Sequence, residues 1–404
     1  MKKILIVGAG ASGLIASIYA KQKDNEVILL ERNNECAKKI LVTGNGRCNY
    51  YNEDQNLIHY NSDNSELISQ IITEENKKEI LDFFDRIGII PKIKNGYYYP
   101  YSNQATSVKS ALINEAKRKK VNIINNTYVE NITKENNKYK VITNDKEYIV
   151  DSVILATGSS SAPKTGSDGN GYELAKKLNH TLIKPEPALT ALKGNEKYFK
   201  EWSGIRSDVK LLLYSNNELI KKEEGEIQLT DYGISGICTF NISRHAIKLL
   251  NENKNPYVEI NFLPFLEEKE IEMWFKKRLE IMGDVTIENL LEGILNYKLI
   301  HLIFKLTNIN KDTKITQLSK SELERLFISL TKFKLNIIDS NDFNASQVSM
   351  GGVPLTEINT NTMESKINKN LFITGELLDV DGECGGYNLT FAWITGMIAG
   401  KNNK

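Results

Sequence analysis

Apolar residues near the amino end of the chain follow a strand–helix–strand pattern. The apolar run 4–7 leads through a glycine-rich turn into a helical segment, and a second apolar run, 27–30, ends at Glu31. This order predicts a parallel βαβ unit, since parallel strands need a crossover connection between them. Near the carboxyl end, a strand over 370–374 and a closing helix over about 390–399 restore the same α/β character.

The middle of the chain has a different periodicity. Residues 188–262 alternate in short apolar and polar segments, which predicts a β-rich insert, whereas 266–332 repeat apolar positions at helical spacing. We therefore predict a nucleotide-binding domain that the chain leaves and re-enters. Its boundaries are 1–187 for the first part of that domain, 188–262 for a β insert of barrel or sandwich type, 263–332 for a helical part of the insert, 333–350 for a return to the β insert, and 351–404 for the second part of the nucleotide-binding domain.

The turn after the first strand has the dinucleotide-binding pattern GxGxxG. Gly8 would permit the tight turn, Gly10 would let a pyrophosphate approach the backbone, and Gly13 would let the helix pack closely on the strand. Glu31 follows Gly13 by 18 residues, close to the spacing at which an acid accepts hydrogen bonds from a ribose. The sequence therefore predicts a bound dinucleotide, with NAD and FAD both open at this point.

Three further glycine segments favour FAD. Residues 43–49 read TGNGRCN, in which the glycines would let a loop lie flat on a planar ligand and Arg47 would offer donors to an anion. Thr157-Gly158 ends an apolar strand, and Gly385-Gly386 precedes the closing helix, whose amino end would favour negative charge at a flavin. An ordinary Asn-Gly turn and a common strand–turn are the alternatives for the first two segments. The acids over 376–383 do not have the order of a calcium loop.

A dedicated nicotinamide domain is not predicted, because no second GxGxxG follows a strand. NAD(P)H would then act as a transient reductant that docks over the flavin. No metal site is predicted, since Cys36, Cys48, Cys238 and Cys384 lack metal-ligand spacing.

Composition narrows the class of protein further. The 404 residues carry a formal net charge of +1, which provides no broad field for nucleic acid or an anionic membrane and argues against both as partners. No apolar stretch has the length of a membrane span, and the first strand begins too early for a leader segment. We therefore expect a cytoplasmic protein with a small-molecule substrate, and we make no prediction of its oligomeric state.

Four segments together resemble the BaiN-like flavoprotein family, often labelled aminoacetone oxidase family FAD-binding enzymes. They read GAGASGL, KKILVTGNGRCN, ATG with a downstream TGSDGNGYELAKKLNH, and TGELLDVDGECGGYNL. The resemblance covers nearly the whole chain and implies non-covalent FAD on an α/β, two-dinucleotide-binding-type Rossmann domain with an inserted β-barrel and a small helical subdomain. One departure from the family is visible, because the usual Gly-Asp-Gly reads Gly169-Asn170-Gly171 here.

The resemblance also implies which residues contact FAD. The residues implied to contact the pyrophosphate are Gly8, Gly10, Ala11, Ser12 and Gly13. Those implied on the adenosine side are Glu31, Arg32 and the backbone of Val129, and Thr157 and Gly158 are implied to lie near the nucleotide at the end of a strand. The resemblance assigns to the flavin Thr43, Gly44, Asn45, Arg47, Cys48 and Asn49, together with Gly375, Glu376, Gly385, Gly386, Tyr387 and Asn388.

The predicted function is that of an FAD-dependent oxidoreductase that passes a hydride through flavin N5. Family members are associated with reduction of conjugated ketones and with amine oxidation, so reductase and oxidase both stay open. A flavin-binding regulatory or scaffold protein without turnover and a tRNA-modifying flavoprotein are the alternatives. No catalytic residue is assigned: His59, His180, His245 and His301 form no cluster in the sequence, and Cys48 and Tyr232 are the weaker candidates.

Overall fold

The computed structural model describes residues 2–22 and 24–403, without the side chain of Glu268. The chain forms two compact units. The first comprises Met1–Ala188 and Phe343–Lys404, and the second comprises Leu189–Asp342. The internal boundaries that the sequence suggests within the insert, near 262 and 332, stay predictions.

The helices and strands of the first unit come from both ends of the chain. Its first segment holds strands β1 Lys3–Val7, β2 Glu26–Leu30, β3 Tyr51–Asn52, β4 Tyr60–Asn61, β5 Pro91–Lys94, β6 Tyr97–Pro100, β7 Asn122–Ile124, β8 Val129–Glu135, β9 Lys138–Thr143, β10 Glu147–Val150, β11 Ser152–Leu155 and β12 Ile183–Ala188. The helices of this segment are α1 Ala11–Ala20, α2 Lys38–Val42, α3 Glu74–Arg86, α4 Ala105–Arg118 and α5 Asn170–Lys177.

The insert contributes the next elements. Its strands are β13 Leu192–Lys193, β14 Arg206–Ser215, β15 Glu218–Leu229, β16 Gly233–Ser235, β17 Tyr257–Asn261, β18 Phe333–Asn336 and β19 Asp339–Ser340. Its helices are α6 Phe199–Trp202, α7 Ile237–Asn251, α8 Ile271–Met282, α9 Ile287–Glu292, α10 Tyr297–Thr307 and α11 Lys320–Thr331. The returning chain adds β20 Val348–Gly352, β21 Ile358–Asn359, β22 Glu364–Ser365, β23 Leu371–Ile373, β24 Asp381–Gly382 and α12 Tyr387–Asn402.

A seven-stranded sheet organises the described part of the first unit, in the order β21-β22-β23-β11-β1-β2-β7. The strands β23, β11, β1, β2 and β7 run parallel, with Ile6 paired to Leu29 on one side and Ile154 on the other. Residues 4–7 of β1 are buried, as the sequence predicts for a central parallel strand covered on both faces. Because the strands are parallel, their carboxyl ends share one edge of the sheet. The residues that follow β1, β2, β11 and β23 therefore begin at that edge.

Helices α1 and α12 pack together through glycine. A Cβ added to Gly396 would overlap the carbonyl oxygen of Ser12, and one added to Gly400 would overlap that of Ala16. Both contacts advance by four residues in the same direction, so the helices run parallel. Helix α12 begins nine residues before Gly396 and α1 one residue before Ser12. At 1.5 Å per residue, the amino end of α12 extends past that of α1 by about 12 Å.

The second unit has its own core and its own sheet. Its strands form an antiparallel sheet in the order β18-β17-β14-β15-β16-β13-β19. The outer strands β18 and β19 are separated by only two residues, Ile337 and Ile338, whose amides donate to backbone carbonyls on β17's side and on β13's side respectively. Residues 333–340 therefore run from one edge of the sheet to the other and close it into a barrel, as the resemblance implied. Trp202 is fully buried in this core, and its indole N–H donates to the carbonyl oxygen of Thr230 at 2.9 Å. In neither unit does a described helix combine the length and the apolar character needed to span a bilayer.

Candidate cofactor and substrate site

The three glycines of the first turn have different surroundings. Gly8 has φ of +98°, and a Cβ there would lie 2.5 Å from the carbonyl oxygen of Ala156. A Cβ on Gly13 would overlap the carbonyl oxygen of Gly8, so helix and strand need glycine at this position. A Cβ on Gly10, by contrast, would meet nothing within 4 Å. Gly8 and Gly13 therefore serve close packing, whereas Gly10 borders open space at the start of α1.

The amino end of α1 is available to an anion. Gly10 is its N-cap, no described side chain caps the helix, and its first turn, Ala11 to Gly13, contains no acid. The first amides of a helix have no intrahelical acceptor, and the helix dipole places positive charge beside them. This arrangement favours a phosphate or another anion over the turn.

Glu31 holds the glycine turn against the second strand. One of its carboxylate oxygens accepts the amide N–H of Ala9 at 3.0 Å, and the other accepts the backbone and side-chain N–H groups of Asn33, both at 2.8 Å. Glu31 is buried, with 7% of its surface exposed. A carboxylate offers about four acceptor positions, so these three bonds leave room for a further donor such as a hydroxyl.

The adenosine-side residues are engaged with the loop that precedes α5. Arg32 forms an ion pair with Asp168 and lies 5.0 Å over the ring of Tyr128. The carbonyl oxygen of Val129 accepts the side-chain N–H of Asn170 at 3.0 Å. The departure from the family pattern thus has a structural consequence: the amide of Asn170 donates here, which the usual aspartate carboxylate cannot do.

Thr157 and Gly158 lie in a tightly packed crossing at the end of β11. A Cβ on Gly171 would overlap the hydroxyl of Thr157. Gly158 has φ of +74°, and a Cβ there would lie 2.9 Å from the hydroxyl oxygen of Ser167. Both residues therefore pack against the segment 167–171, which leads into α5.

The segment 43–49 is a loop with left-handed backbone. Gly44 and Asn45 both have φ of 54°, and the stretch 44–47 is exposed. The guanidinium of Arg47 lies 5.0 Å over the ring of Tyr99, and its Nε donates to the carbonyl oxygen of Gly44 at 3.2 Å. The exposed loop therefore presents backbone and one cation rather than bulky side chains.

Cys48 and Asn49 are the buried end of this loop. Burial raises the pKa of the Cys48 thiol to about 12, so it is a neutral thiol at physiological pH and not a reactive thiolate. The side-chain oxygen of Asn49 is buried and has no hydrogen-bond partner among the described residues. A buried acceptor without a donor is costly, so this oxygen is suited to a ligand N–H or O–H.

Glu376 joins three parts of the first unit. Its carboxylate accepts the ammonium of Lys39, on α2, at 2.7 Å and the backbone N–H of Ser349, on β20, at 3.0 Å. Gly375 has φ of +67°, and a Cβ there would lie 2.7 Å from the hydroxyl oxygen of Ser12. The structure thus brings Gly375 and Glu376 next to the amino end of α1 and to the helix that precedes the 43–49 loop.

Helix α12, like α1, has an amino end without a side-chain cap among the described residues. Gly386 is its N-cap with φ of +98°, and no capping bond from a described side chain is present. A Cβ on Gly386 would lie 3.1 Å from the unpartnered oxygen of Asn49, which places α12 beside the 43–49 loop. The side chain of Asn388 instead holds the backbone of Gly382, accepting its N–H at 2.8 Å and donating to its carbonyl at 2.7 Å. Asn388 therefore shapes the loop before α12.

Sequence reasoning missed a histidine in this region. The ring of His59 stacks on Tyr387 at 4.7 Å between centroids, with Nδ1 2.7 Å from a Glu383 oxygen and Nε2 3.1 Å from an Asp54 oxygen. Strand β24 pairs with β4, so the backbone itself brings His59 to Glu383 across 324 residues of sequence. No local motif signals such a cluster.

We expect the stability that His59 contributes to be present at low pH and lost as the pH rises. Burial lowers the pKa of His59, but hydrogen bonds to Glu383 and Asp54 outweigh it and hold the pKa above its ordinary value of 6.5. A raised pKa in the folded state stabilises below 6.5, and this contribution disappears as the pH passes through the folded-state pKa. The difference in Tm between wild type and His59→Gln should therefore be largest in mild acid and shrink in alkali. A difference that is constant with pH would contradict the assignment, and Asp54→Asn, which removes the exposed partner, serves as the milder control.

Comparison with known proteins finds similarity along nearly the whole chain. Residues 2–402 match the family described as HI0933-like protein Rossmann domain. A 3-dehydro-bile acid Δ(4,6)-reductase of Clostridium scindens is 38% identical over 403 residues, covering 99% of this chain and 98% of that protein. Ribosomal RNA dihydrouridine synthases of Escherichia coli and Haemophilus influenzae are 24% and 25% identical, each over 96% of this chain and over 94% and 95% of their own lengths.

Two solved structures share the fold at low identity. The open form of a flavocytochrome c3 fumarate reductase has a TM-score of 0.53 at 16% identity, covering 100% of this chain and 78% of that chain. The 3-ketosteroid-Δ4-(5α)-dehydrogenase of Rhodococcus jostii RHA1 has a TM-score of 0.51 at 14% identity, covering 100% of this chain and 97% of that chain. At these identities the likeness concerns the fold alone, and it agrees with the predicted α/β Rossmann class.

The match to a reductase along nearly all of both chains confirms the predicted enzyme class, a flavin-dependent oxidoreductase. The family match covers both parts of the Rossmann unit and the insert between them. The chain therefore belongs to the HI0933-like family of Rossmann-domain flavoproteins.

Proposed function

We propose that this enzyme uses FAD to transfer a hydride from NAD(P)H to a carbon–carbon double bond conjugated with a carbonyl in a small hydrophobic substrate. The observation that carries the proposal is the pair of parallel helices α1 and α12, both without a side-chain cap, whose amino ends are offset by about 12 Å along the axis. Such a pair offers two separate anion-favouring ends to one elongated ligand.

The residues present fit FAD. Gly10 leaves open space where a pyrophosphate needs backbone contact. The buried side-chain oxygen of Asn49, which has no partner among the described residues, could accept a hydrogen bond from the flavin end of FAD. The proposed contacts are, at the phosphate and adenosine end, Gly8, Gly10, Ala11, Ser12, Gly13, Glu31, Arg32, Val129, Thr157 and Gly158. At the flavin end they are Thr43, Gly44, Asn45, Arg47, Cys48, Asn49, Gly375, Glu376, Gly385, Gly386, Tyr387 and Asn388.

The chain's own residues bind and orient in this proposal. When bound, FAD supplies hydride chemistry at its N5 atom. The amino end of α12 favours negative charge at its side of the ring system. Glu31 fixes the glycine turn through Ala9, and Glu376 fixes the 43–49 loop through Lys39 on the preceding helix. A proton donor to the substrate stays unassigned.

The relatives support the choice of substrate chemistry. The C. scindens relative is named for reduction of a bile acid at Δ(4,6), and a double bond beside a carbonyl accepts a hydride readily because the carbonyl stabilises the resulting charge. It is also more similar to this chain, at 38%, than the RNA-named relatives at 24% and 25%. A small-molecule substrate also suits the net charge of +1.

Reduction of uridine in ribosomal RNA is the second candidate. The observation that favours it is the match of two rRNA dihydrouridine synthases along 96% of this chain. The chemistry is related, since the C5–C6 double bond of uridine is also conjugated with a carbonyl. The two candidates thus differ in the substrate rather than in the bond that is reduced.

An anaerobic stopped-flow experiment tests the proposal. We expect the purified protein to show a flavin spectrum, to be bleached by NADH or NADPH, and to be reoxidised by conjugated ketones but not by their saturated analogues. If only amine-derived imines, or only unmodified rRNA, reoxidised the flavin, the substrate would be an imine or rRNA instead of a conjugated ketone. Absence of bound flavin after reconstitution, or no bleaching above the buffer rate with either nicotinamide, would overturn the proposal.

A further inference from the structure

The hairpin formed by β5 and β6 has two chemically different faces. Tyr98 packs against Tyr51 at 5.2 Å and Tyr50 at 6.2 Å between ring centroids, so its face is turned towards the core of the first unit. Successive side chains of a strand point to opposite faces. Tyr97 and Tyr99 therefore lie on the other face.

That other face is basic and aromatic. Lys94 pairs in register with Tyr97, and Lys92 with Tyr99, so both lysines share the face of these two rings. Both lysines are exposed, and neither ammonium has a carboxylate partner in the part of the chain that the structure describes. Arg47 adds a third cation, 5.0 Å over the ring of Tyr99.

No acid interrupts the hairpin. Residues 90–101 contain neither Asp nor Glu. Glu53 lies beside the turn: its Cβ is 3.7 Å and a carboxylate oxygen is 4.0 Å from where a Cβ on Gly96 would be. The three cations of the face, Lys92, Lys94 and Arg47, outnumber this acid, so the net charge of the face is positive.

The basic face borders the proposed flavin end of the site. A carbon of the Tyr97 ring lies 2.9 Å from where a Cβ on Gly385 would be, and one of the Tyr99 ring lies 3.6 Å from where a Cβ on Gly44 would be. Asn52, in register with Tyr97, donates its side-chain N–H to the carbonyl oxygen of Gly385 at 2.9 Å. The face is thus anchored to both glycine loops at which the flavin is proposed to lie.

We propose that the basic hairpin face, Lys92, Lys94, Tyr97, Tyr99 and Arg47, binds the phosphates of NAD(P)H while its nicotinamide reaches the flavin. This inference rests on the proposed function. Two lysines at i and i+2 on one strand are about 6.6 Å apart along the backbone, a spacing suited to the adjacent phosphates of a dinucleotide. Tyrosine faces offer a stacking surface for a base. A short face with three cations suits one dinucleotide better than a long RNA backbone, which would need a more extended basic surface.

The test is stopped-flow reduction of the FAD-loaded Lys92→Glu/Lys94→Glu double variant by NADH and NADPH. We expect the half-saturating nicotinamide concentration to rise about tenfold or more, and the limiting rate and the flavin spectrum to stay close to wild type. A titration with non-reducing NADP⁺ should show the same loss of affinity. The neutral Lys92→Gln/Lys94→Gln variant should fall between, and high salt should narrow all differences.

Lys119→Glu/Lys120→Glu is the matched control. These exposed lysines follow α4 and precede β7, so they lie at the amino edge of the parallel sheet, opposite the glycine turn. An equal effect in this control would overturn the inference, because it would show that only overall charge matters. The inference would also be overturned if the flavin-loaded hairpin variant had the same half-saturating nicotinamide concentration and the same NADP⁺ affinity as wild type. A variant that bound a single-stranded RNA oligomer more weakly but bound nicotinamide as wild type does would overturn it too.

The outcomes for the two proposals are separable. A wild-type protein that lacks FAD, or whose flavin neither nicotinamide reduces, overturns the proposed function. The NADP⁺ titration still decides the docking face in that case, because it requires no turnover: weaker binding in the hairpin variant supports the face, and no binding to wild type overturns it.

Discussion

Gly10→Asp is expected to abolish FAD binding while the protein stays folded. The change adds a side chain where a Cβ would meet nothing within 4 Å, and Gly10 has φ of −82°, which any residue can adopt. Aspartate is also a favourable N-cap, since its carboxylate can accept the free amides of the first turn. The same carboxylate would occupy the anion position and repel a pyrophosphate.

The expected loss is at least about 100-fold in FAD affinity, which corresponds to about 3 kcal/mol. Titration of the apoprotein with FAD, followed by flavin fluorescence, measures it, and circular dichroism with a thermal scan checks the fold. Gly293→Asp is the matched control, because Gly293 also has negative φ and open space around it but lies in the second unit. Undiminished FAD binding by Gly10→Asp would remove the amino end of α1 from the proposed site.

Gly396→Ala is expected to destabilise the first unit by about 3 kcal/mol, although alanine is the better helix former by about 1 kcal/mol. The added methyl would overlap the carbonyl oxygen of Ser12 and lie 3.0 Å from the Ser12 Cα. These are backbone atoms of α1, which cannot move aside as a side chain can. The helices must separate or shift in register, and that would also disturb the amino ends proposed to hold FAD.

Equilibrium denaturation of the whole protein measures the change in the free energy of unfolding, and FAD affinity gives a second readout. Gly293→Ala is the control: its Cβ would meet nothing within 4 Å, so its stability should stay close to that of wild type. A Gly396→Ala variant as stable as wild type would show that α1 and α12 are not in close backbone contact. The two predictions thus give the two glycines different roles, since Gly10 is needed to bind the ligand and Gly396 is needed for helix packing.

Residues close in sequence made much of the site predictable. The strand 3–7, the turn over 8–13 and helix α1 form one βαβ unit, whose hydrophobic spacing and glycines reflect local backbone requirements. The amino end of α12 was predictable for the same reason, because Gly385-Gly386 precedes an apolar helix, although the helix begins at Tyr387 rather than near Thr390. The family resemblance, carried by contiguous motifs, pointed to FAD and an oxidoreductase.

Contacts between distant residues could not be read from the sequence. Lys39 meets Glu376 across 337 positions and His59 meets Glu383 across 324. The side-chain amide of Asn388, a residue expected at the flavin, donates to the carbonyl oxygen of Gly382, and that of Asn170 donates to the carbonyl oxygen of Val129. The closure of the insert sheet by residues 333–340 also depends on which strands pair.

The division has a physical cause. Glycine turns, helix caps and hydrophobic periodicity follow from backbone sterics and hydrogen bonding within a few residues, so the sequence by itself determined the βαβ unit, the two glycine-capped helices and the class of ligand they suit. Side-chain pairs and strand order depend on which surfaces the folded chain brings together. Only the tertiary structure therefore decided that α1 and α12 run parallel, that His59 stacks on Tyr387, and that Lys92, Lys94 and Arg47 share one face beside the glycine loops.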